Sequence, residues 1–475
     1  MRRSAPACGA LHGQSDTLLD LREQGAICSL RPYRPGPADK TWPTTLEVSS
    51  TMSTRCGGAC PDDSATPAAA ALNARCGCSV VVPEDLRGRV GRALQDAAGL
   101  DPALHAHLFA PQALFVDRAS LATMAHMTRA LFEVARLPAY AERVLAWAPD
   151  IARHDPGSSG GVIGLDFHLT DHGPRLIEIN TNPGGLMLNA LALDAVNACE
   201  PHTWTTWTTT QAAVAAGTRA WLDEAQAQLG RPASRTAIVD VDPTQQFLYP
   251  EFRLYRQAFE QRGVPCVIHA PAALRWDGQT LRADGRVDFV YNRLTDFALT
   301  DADSAALAAA YRDGAIALSP HPRAHALLAD KRNLAVLGDR DYLISLGLDA
   351  AEATVLADGI PHTVLLSAAN REALWAQRNQ YFFKPANGYG SRGSYRGDKL
   401  TRRVWEAMAA TDYVAQAFAP PGVRITAAGA ALKADVRCYA TERGVILFAA
   451  RLYQGQTTNL RTPHGGFAAV LTTAA

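Results

Sequence analysis

The amino-acid sequence predicts an α/β protein, because segments with a helical period alternate with segments of strand period along most of its 475 residues. Apolar residues recur at helical spacing from about 83 to 151. The period changes to two in residues 161–169 and 175–180, and strands alternate with helices from 235 onward. At about 150 residues per domain, the length corresponds to two to four domains with ample core.

Composition limits the classes of function. The chain has 46 basic and 46 acidic side chains, and this zero formal net charge argues against a dedicated nucleic-acid binder. No apolar run approaches the roughly 20 residues of a membrane helix. No apolar segment follows the basic start Met1-Arg2-Arg3, as a secretory signal would require. We therefore expect a soluble, cytoplasmic enzyme that binds neither nucleic acid nor membrane.

Residues 1–78 are predicted to form a disordered, dispensable leader, since they are rich in turn-forming residues and show no sustained period. Six of the nine cysteines fall in this segment. The four most closely spaced are Cys56, Cys60, Cys76 and Cys78. They could hold zinc, but C-x3-C and C-x-C are not the standard spacing of a zinc knuckle, so ordinary thiols are the favoured interpretation.

Residues 79–234 are predicted to form a helical region followed by a hairpin. Within the helical region, a Met and Leu stripe recurs at helical spacing and is interpreted as core rather than as a cofactor site. The stripe comprises Leu121, Met124, Met127, Leu131 and Val134. The turn signal Asp171-His172-Gly173 joins two strand-like segments into an antiparallel hairpin, and helices follow to about 229.

Residues 235–300 are predicted to form an α/β substrate-binding unit, and residues 301–475 a nucleotide-binding region. The first contains strands at 236–241, 264–269 and 287–291, with a helix at 251–261. The second contains helices at 303–312, 325–346 and 401–410 and strands at 381–384 and 413–416. Two paired strands, 434–439 and 445–452, are expected to close the chain.

The hairpin carries a candidate metal site. Glu178 and Asn180 lie two residues apart on one strand, so their side chains share a face, and Asp166 on the partner strand can face the same way. Carboxylate and amide oxygens are the ligands that Mg²⁺ prefers. The alternative is a solvated strand face, but Leu176 and Ile179 favour a buried strand, where an unpaired carboxylate is costly.

Lysine is rare in this chain, and its positions indicate a second candidate site. There are five lysines, and four of them lie between 331 and 433. Lys384 ends a strand and precedes a loop with three glycines, whose backbone N–H groups can close around phosphate oxygens. The motif is weak by itself, and it is not a Walker loop because no Gly-Lys-Ser/Thr closes it.

A third charged pattern lies near the end of the chain. Lys433, Asp435 and Arg437 share one face of a strand at period two, and Arg451 follows on the next strand. Paired surface ions are the alternative interpretation.

Together these motifs resemble the ATP-grasp superfamily, specifically its circularly permuted branch of glutathione and glutathionylspermidine synthetases. The Asp166 and Glu178-x-Asn180 hairpin, usually last in ATP-grasp ligases, comes first here. The resemblance implies a permuted ATP-grasp fold with an inserted α/β substrate domain and an N-terminal helical region. It covers roughly residues 160–475.

The resemblance also implies roles for individual residues. Lys331 and Lys384 resemble the first and second ATP lysines, and Gln416 resembles the adenine hinge. The implied ATP-binding residues are Lys331, Lys384, Gly388, Gly390, Ser391, Gln416, Lys433 and Asn459. The implied catalytic residues are Arg437 and Arg451, and the implied metal ligands are Asp166, Glu178 and Asn180. No acidic residue lies between Lys384 and Asp398, where permuted glutathione synthetases carry a metal-binding glutamate, so Asp166, Asn387 or an unidentified residue is left as the third ligand.

The implied substrate contacts are Arg293, Gln246 and Glu251. Arg293 follows an apolar strand at the end where α/β sheets place ligands, and its planar fork suits a carboxylate. The alternative for Arg293 is a salt bridge to Asp296.

The predicted function is an ATP-dependent carboxylate–amine or carboxylate–thiol ligase that forms an acyl phosphate and uses ATP and Mg²⁺. Its expected partners are a small-molecule carboxylate and an amine (an amino acid, peptide or polyamine), and a homodimer is an open possibility. The alternatives are a phosphotransferase that leaves phosphate on its product, and an inactive nucleotide-binding partner protein.

Overall fold

The structure is a computed structural model that describes residues 68–75, 108–194, 196, 204–388, 392–426, 428–460 and 462–473. All of these residues belong to the unit formed by residues 55–475. Within these ranges, none of the helices combines the length and the apolar character that crossing a membrane requires. The predicted mixed α/β class is confirmed.

The strands are numbered in chain order. They are β1 Leu114–Phe115, β2 Ile163–Thr170, β3 Gly173–Asn180, β4 Trp204–Thr205, β5 Thr236–Val239, β6 Cys266–His269, β7 Arg275–Trp276, β8 Leu281–Arg282, β9 Arg286–Val287, β10 Phe289–Asn292, β11 Ala317–Ser319, β12 Thr363–Leu365, β13 Tyr381–Pro385, β14 Tyr395–Arg396, β15 Tyr413–Ala417, β16 Gly422–Ile425, β17 Ala431–Thr441, β18 Gly444–Tyr453 and β19 Gly466–Thr473.

The α-helices pack on and between the sheets. They are Ala69–Arg75, Arg118–Ala135, Pro138–Leu145, Leu186–Leu193, Thr210–Leu229, Tyr249–Glu260, Ala305–Arg312, Pro322–Ala324, Asn333–Leu337, Arg340–Ser345, Ala350–Gly359, Arg371–Ala376 and Arg402–Ala407.

The central sheet joins the two ends of the described chain. Its order is β1-β19-β18-β17-β2-β3, with β16 also on β17 and β4 also on β19. The predicted hairpin β2–β3 therefore lies directly beside the C-terminal strand β17, to which β2 is antiparallel. Residues separated by more than 250 positions in sequence are neighbours in this sheet, as Arg437 and Asp166 are.

One face of the central sheet builds the main hydrophobic core. Leu432, Ala434, Val436, Cys438 and Ala440 alternate along β17 and are buried in this core. The Met and Leu stripe of helix Arg118–Ala135 packs on the same core, with each of its five residues at most 1% exposed, so its interpretation as core is confirmed. The opposite face of β17 is left to its charged residues.

A second, parallel sheet has the order β11-β10-β5-β6. The chain runs outward in both directions from the pair β5 and β10, which makes the carboxyl ends of these two strands the switch point of the sheet. Asp240 and Arg293 follow these two ends. Strand β11 extends this unit to Ser319, beyond the predicted boundary at residue 300.

A small antiparallel sheet, β12-β15-β13-β14, carries Lys384 and Gln416 on neighbouring strands. It has its own apolar core, which includes Phe383, Trp405 and Met408. This sheet contacts the central sheet through Lys384, whose ammonium donates to the Ile177 carbonyl at 2.6 Å.

Part of the predicted disordered leader is a helix, so that prediction is wrong for Ala69–Arg75. Leu72 joins an apolar cluster with Phe115 and Trp204, and Asn73 exchanges two hydrogen bonds with the Phe115 backbone, at 2.8 and 3.0 Å. The segment is rich in Ala and Leu, good helix formers, and its docking offsets the cost of ordering it. Residues 1–67 and 76–78 of the leader lie outside the described residues, and they include the four cysteines of the zinc hypothesis. The start of the predicted helical region, to residue 107, also lies outside them.

Two further predictions differ from the structure. The chain does not close on two paired strands, because β19 adds a third strand, antiparallel to β18. The helix predicted at 325–346 is interrupted, since Asp330 is extended and Asp339 caps a new helix by accepting from the Tyr342 amide. Lys331 follows the first interruption.

Candidate functional site

A cavity of about 310 Å³ lies where the central sheet meets the small antiparallel sheet. Seven lysines and arginines line it, against two carboxylates, Asp166 and Glu178. The basic residues are Lys331, Lys384, Arg392, Arg396, Lys433, Arg437 and Arg451. Because the whole chain has a formal net charge of zero, this excess of positive charge is a local property of the cavity.

The β2–β3 hairpin brings Asp166, Glu178 and Asn180 together as predicted. Asp166 pairs directly with Glu178 across the hairpin, and Asn180 donates from Nδ2 to Asp166 Oδ2 at 3.2 Å. The alternation of the strand turns Leu165 and Ile179 into the core on the other face. Asp166 is 1% exposed, whereas Glu178 and Asn180 are half-buried, so this strand face is only partly solvated.

Four charged residues of β2, β17 and β18 form what we call the arginine cluster, Asp166, Asp435, Arg437 and Arg451. Arg437 donates to both oxygens of Asp166, at 2.6 and 2.7 Å. Arg451 lies 2.9 Å from Asp166 Oδ2 and donates to Asp435 Oδ1 at 2.6 Å. The surface-pair alternative is therefore wrong for this cluster, in which Asp435 is fully buried.

Charge pairing overrides burial in the arginine cluster. Burial alone would raise the pKa of Asp166, but Arg437 and Arg451 lower it to about 2. Burial also opposes the charged form of Arg451, yet Asp166 and Asp435 raise its pKa above the ordinary arginine value. Asp166, Arg437 and Arg451 are therefore charged at neutral pH.

Lys331 and Lys384, which we call the lysine pair, also line the cavity. Lys331 Nζ lies 3.0 Å from Glu178 Oε1 and donates to the Gly388 carbonyl at 2.7 Å. Lys384 donates to the Ile177 carbonyl and, at 2.8 Å, to Gln416 Oε1. The structure thus brings these two lysines, distant in sequence, into one cleft.

The lysine pair has fewer acidic partners than the arginine cluster. Burial lowers the pKa of Lys384 to about 8, and Glu178 offsets only part of this effect. Burial would raise the pKa of Glu178, but Lys331 and Lys384 lower it. One carboxylate thus serves two ammonium groups.

The other residues predicted to bind ATP are placed unevenly. Gln416 is buried, with its carboxamide held between Lys384 and the Thr363 hydroxyl. Gly388 and Lys433 line the cavity, and Lys433 Nζ donates to the Gly455 carbonyl. Asn459 is exposed and does not line the cavity. Gly390 and Ser391 lie outside the described residues.

The three predicted substrate contacts lie apart from the cavity wall. Gln246 is half-buried and donates to the Val241 carbonyl at 2.6 Å. Glu251 is 1% exposed, and both of its oxygens accept from backbone amides. Arg293 is 8% exposed and donates to the Asn182 carbonyl at 2.8 Å. No ion pair joins Arg293 to Asp296 within the described ranges, so that alternative is wrong.

Several cavity residues were not predicted. His168 lies two residues from Asp166 on β2, donates from Nδ1 to the Ala419 carbonyl at 2.7 Å, and lines the cavity. The rings of Phe382 and Phe418 line the end near Gln416. The period-two alternation on β2 could have identified His168, whereas nothing local marks the two phenylalanines as neighbours.

The donor set fits Mg²⁺ only in part. Among the described residues, no basic group or hydrogen-bond donor occupies Glu178 Oε2 or Asn180 Oδ1, and both are hard oxygen donors. Both oxygens of Asp166 are occupied by guanidinium groups, so Asp166 does not fit as a direct ligand in this arrangement. Among the described residues, no group of three or more His, Cys, Asp or Glu side chains could hold a metal.

No protein-family model and no curated protein matches this sequence. One similar solved structure is a glutathione synthetase-like effector from Globodera pallida in its apo form, at 12% identity and TM-score 0.49, covering 82% of this chain and 97% of that chain. Another is a protein assigned as a γ-glutamylcysteine synthetase from Methylobacillus flagellatus, at 12% identity and TM-score 0.43, covering 73% and 88%. A third is the ATP-grasp ligase PsnB with minimal precursor, Mg and ADP, at 13% identity and TM-score 0.23, covering 50% and 88%. Because the identities are this low, a function has to be inferred from the residues of the site.

Proposed function

We propose that this chain is an ATP-dependent ligase that activates a carboxylate as an acyl phosphate and joins it to an amine or thiol. The observation that carries the proposal is the convergence of the lysine pair on Glu178 in a cavity with a strong positive excess. A cavity of this charge favours a polyanion, and oxygen donors beside two ammonium groups suit a nucleotide triphosphate with its cation.

The lysine pair would bind the phosphates. An ammonium is a compact point charge that serves phosphate oxygens well, and the partners of Lys331 and Lys384 are mostly neutral oxygens that a phosphate can replace. Phe382 and Phe418 offer apolar ring surface beside Gln416, which suits the base end of the nucleotide.

Glu178 and Asn180 would hold Mg²⁺, with the remaining positions taken by phosphate oxygens and water. The ion would neutralise charge on the phosphates and orient them. Asp166 contributes through Arg437 and Arg451, whose guanidinium groups it keeps charged and fixed.

In the proposed first step, a substrate carboxylate oxygen attacks the γ-phosphorus while the bond from that phosphorus to the bridging oxygen breaks, and ADP leaves. The fixed charges of Arg437 and Arg451 would stabilise the transferring phosphoryl group. In the second step an amine nitrogen attacks the acyl carbon, inorganic phosphate leaves, and the amine proton passes to solvent. No side-chain nucleophile is needed.

The test is a screen for ADP release with ATP and Mg²⁺ across pairs of carboxylates and amines. With an active pair, a carboxylate labelled with ¹⁸O should transfer one label to the released phosphate, because the acyl phosphate bond forms through that oxygen. A phosphotransferase would give ADP without free phosphate, and no ADP release with any pair would contradict the proposal.

Lys384→Met should lose activity with the active pair. Lys399→Met provides the matched control, since Lys399 does not line the cavity. Equal loss in both variants would indicate a general effect of removing a lysine and would count against the cavity as the site.

A further inference from the structure

The segment Asn182–Gly185 leaves strand β3 two residues after Asn180, and Gly184 forms part of the cavity wall. Each of its four carbonyls accepts a hydrogen bond. Arg293 Nη1 donates to the Asn182 and Pro183 carbonyls at 2.8 and 3.4 Å. Tyr439 Oη donates to the Gly184 carbonyl at 2.8 Å, and Asn189 Nδ2 donates to the Gly185 carbonyl at 2.7 Å. A loop paired this completely has little freedom to move.

The amides that follow are held by a carboxylate. Glu251 Oε2 accepts from the Gly185 amide at 2.7 Å, and Glu251 Oε1 accepts from the Met187 amide at 3.0 Å. These amides open the helix Leu186–Leu193, where a carboxylate satisfies unpaired N–H groups and favours the positive end of the helix dipole. Both oxygens of the Glu251 carboxylate therefore accept hydrogen bonds from backbone amides of the protein.

The neighbours of the two glycines approach closely. A Cβ on Gly184 would lie 2.3 Å from Leu248 Cδ1 and 3.1 Å from Arg293 Nη2. A Cβ on Gly185, whose φ is +101°, would lie 2.5 Å from the Phe467 ring. The loop is therefore pressed between the parallel-sheet unit, which supplies Arg293 and Glu251, and strand β17, which supplies Tyr439.

We propose that Glu251, Arg293 and Tyr439 are positioning residues that hold the Asn182–Gly185 loop as a fixed wall of the cavity. This role deepens the proposed function, on which it rests for its effect on nucleotide binding. It replaces the role of substrate contact that the sequence suggested for Arg293 and Glu251. Arg293 Nη1 donates to the loop, whereas Arg293 Nε is buried without a hydrogen-bond partner.

Glu251, Arg293 and Tyr439 lie on three separate elements, so their shared positioning role can be tested. If the three residues act through one loop, variants of all three should share one effect. If Arg293 and Glu251 instead bind a substrate, Tyr439→Phe should not share the effect of Arg293→Lys and Glu251→Gln.

Tyr140→Phe is a matched control for Tyr439→Phe. Tyr140 is fully buried, like Tyr439, and its hydroxyl also donates to a backbone carbonyl at 2.8 Å, that of Leu327. Both substitutions remove one buried hydrogen bond and leave a carbonyl unpaired, so their effects on global stability should be similar.

The experiment measures amide hydrogen exchange in peptides covering residues 182–187, together with the affinity for ADP in the presence of Mg²⁺. Tyr439→Phe, Arg293→Lys and Glu251→Gln should each speed exchange of the Gly185 and Met187 amides about tenfold. Each should weaken ADP binding, whereas Tyr140→Phe should lower the thermal midpoint without either local effect.

Exchange in residues 182–187 that is the same for Tyr439→Phe and Tyr140→Phe would overturn the proposal. So would faster exchange in all three variants with unchanged ADP affinity, because the loop would then have no bearing on the cavity. If wild-type protein does not bind ADP with Mg²⁺ at all, the proposed function fails, and the exchange data still decide whether the three residues hold the loop.

Discussion

The two groups of basic residues that line the cavity, the arginine cluster and the lysine pair, differ in how their positive charge is paired. In the arginine cluster, two guanidinium groups face two buried carboxylates at contacts of 2.6 to 2.9 Å. In the lysine pair, two ammonium groups share one half-buried carboxylate, Glu178, and otherwise contact neutral oxygens. The pKa values follow the difference, since that of Arg451 is raised and that of Lys384 is lowered to about 8.

The comparison separates stability from binding capacity. Removing one partner from a buried, matched ion pair destabilises the fold, because the remaining charge is left buried without its partner. A buried cation without enough carboxylates costs free energy in the unliganded protein, and that cost is relieved when an anion binds. We therefore expect substitutions in the arginine cluster to affect folding most, and substitutions in the lysine pair to affect nucleotide binding most.

The largest effect is expected from Asp166→Asn. It leaves two buried guanidinium groups with only Asp435, and breaking a buried ion pair in this way costs about 3–5 kcal/mol. Urea denaturation should show this loss at neutral pH. A loss under about 1 kcal/mol would mean that the cluster does not stabilise the fold.

Asp166 also determines the direction in which acid changes the stability of the fold. The pKa of Asp166 falls from 3.8 to about 2 on folding, so its stabilisation is complete above pH 4 and is lost as the pH falls through about 2. The Asn variant should lack that part of the acid transition.

The next largest effect is expected from Glu178→Gln, which changes the lysine pair and leaves the arginine cluster intact. Removing the carboxylate shared by the lysine pair should cost most turnover at ordinary Mg²⁺, roughly a hundredfold. It should leave the binding of metal-free ADP unchanged or tighter, because Lys331 loses its acidic partner and retains its charge. Calorimetric titration with and without Mg²⁺ measures both effects, and unchanged turnover would remove Glu178 from the metal site.

Lys384→Met should weaken ATP binding by about ten- to a hundredfold, the range for a charge-assisted hydrogen bond. Lys331→Met should act in the same direction, and Lys399→Met should have no effect, since Lys399 does not line the cavity. The losses should shrink with added salt where a lysine is partly exposed. Wild-type affinity in both cavity variants would contradict the binding role of the lysine pair.

The smallest effect concerns protons. Because the pKa of Lys384 is about 8 in the unliganded protein, near pH 8 about half of this group is neutral. Phosphate favours its charged form, so nucleotide binding should take up a proton near pH 8 and weaken as the pH rises further. Titrations in two buffers of different ionisation enthalpy measure the uptake, and Lys384→Arg should abolish it.

The faces of individual strands could be predicted from the sequence. Glu178 and Asn180 share a face with Asp166, and Lys433 shares one with Arg437, because side chains alternate along any strand. The same rule extends to Tyr439, two residues beyond Arg437, which was not singled out. The strand β19 was also missed, although Phe467 to Leu471 is an apolar run of strand length.

Partners across the fold could not be predicted in the same way. Arg293 was expected to contact a substrate because of its guanidinium group and its position after a strand, and Glu251 because of the family resemblance. Their actual partners are backbone groups of residues 182–187, which lie more than 60 positions earlier. Backbone carbonyls and amides occur at every residue, so no sequence pattern marks which of them an arginine or a carboxylate will meet.

The sequence by itself determined the types of most elements, the faces of the strands and the inventory of charges, because these follow from local sterics and from residue chemistry. The tertiary structure alone decided which charges are neutralised. It set two carboxylates against Arg437 and Arg451 and only one between Lys331 and Lys384. That distribution depends on contacts of 2.6 to 3.0 Å between charged side chains from different parts of the sequence, since electrostatic energy inside a protein changes steeply at that range.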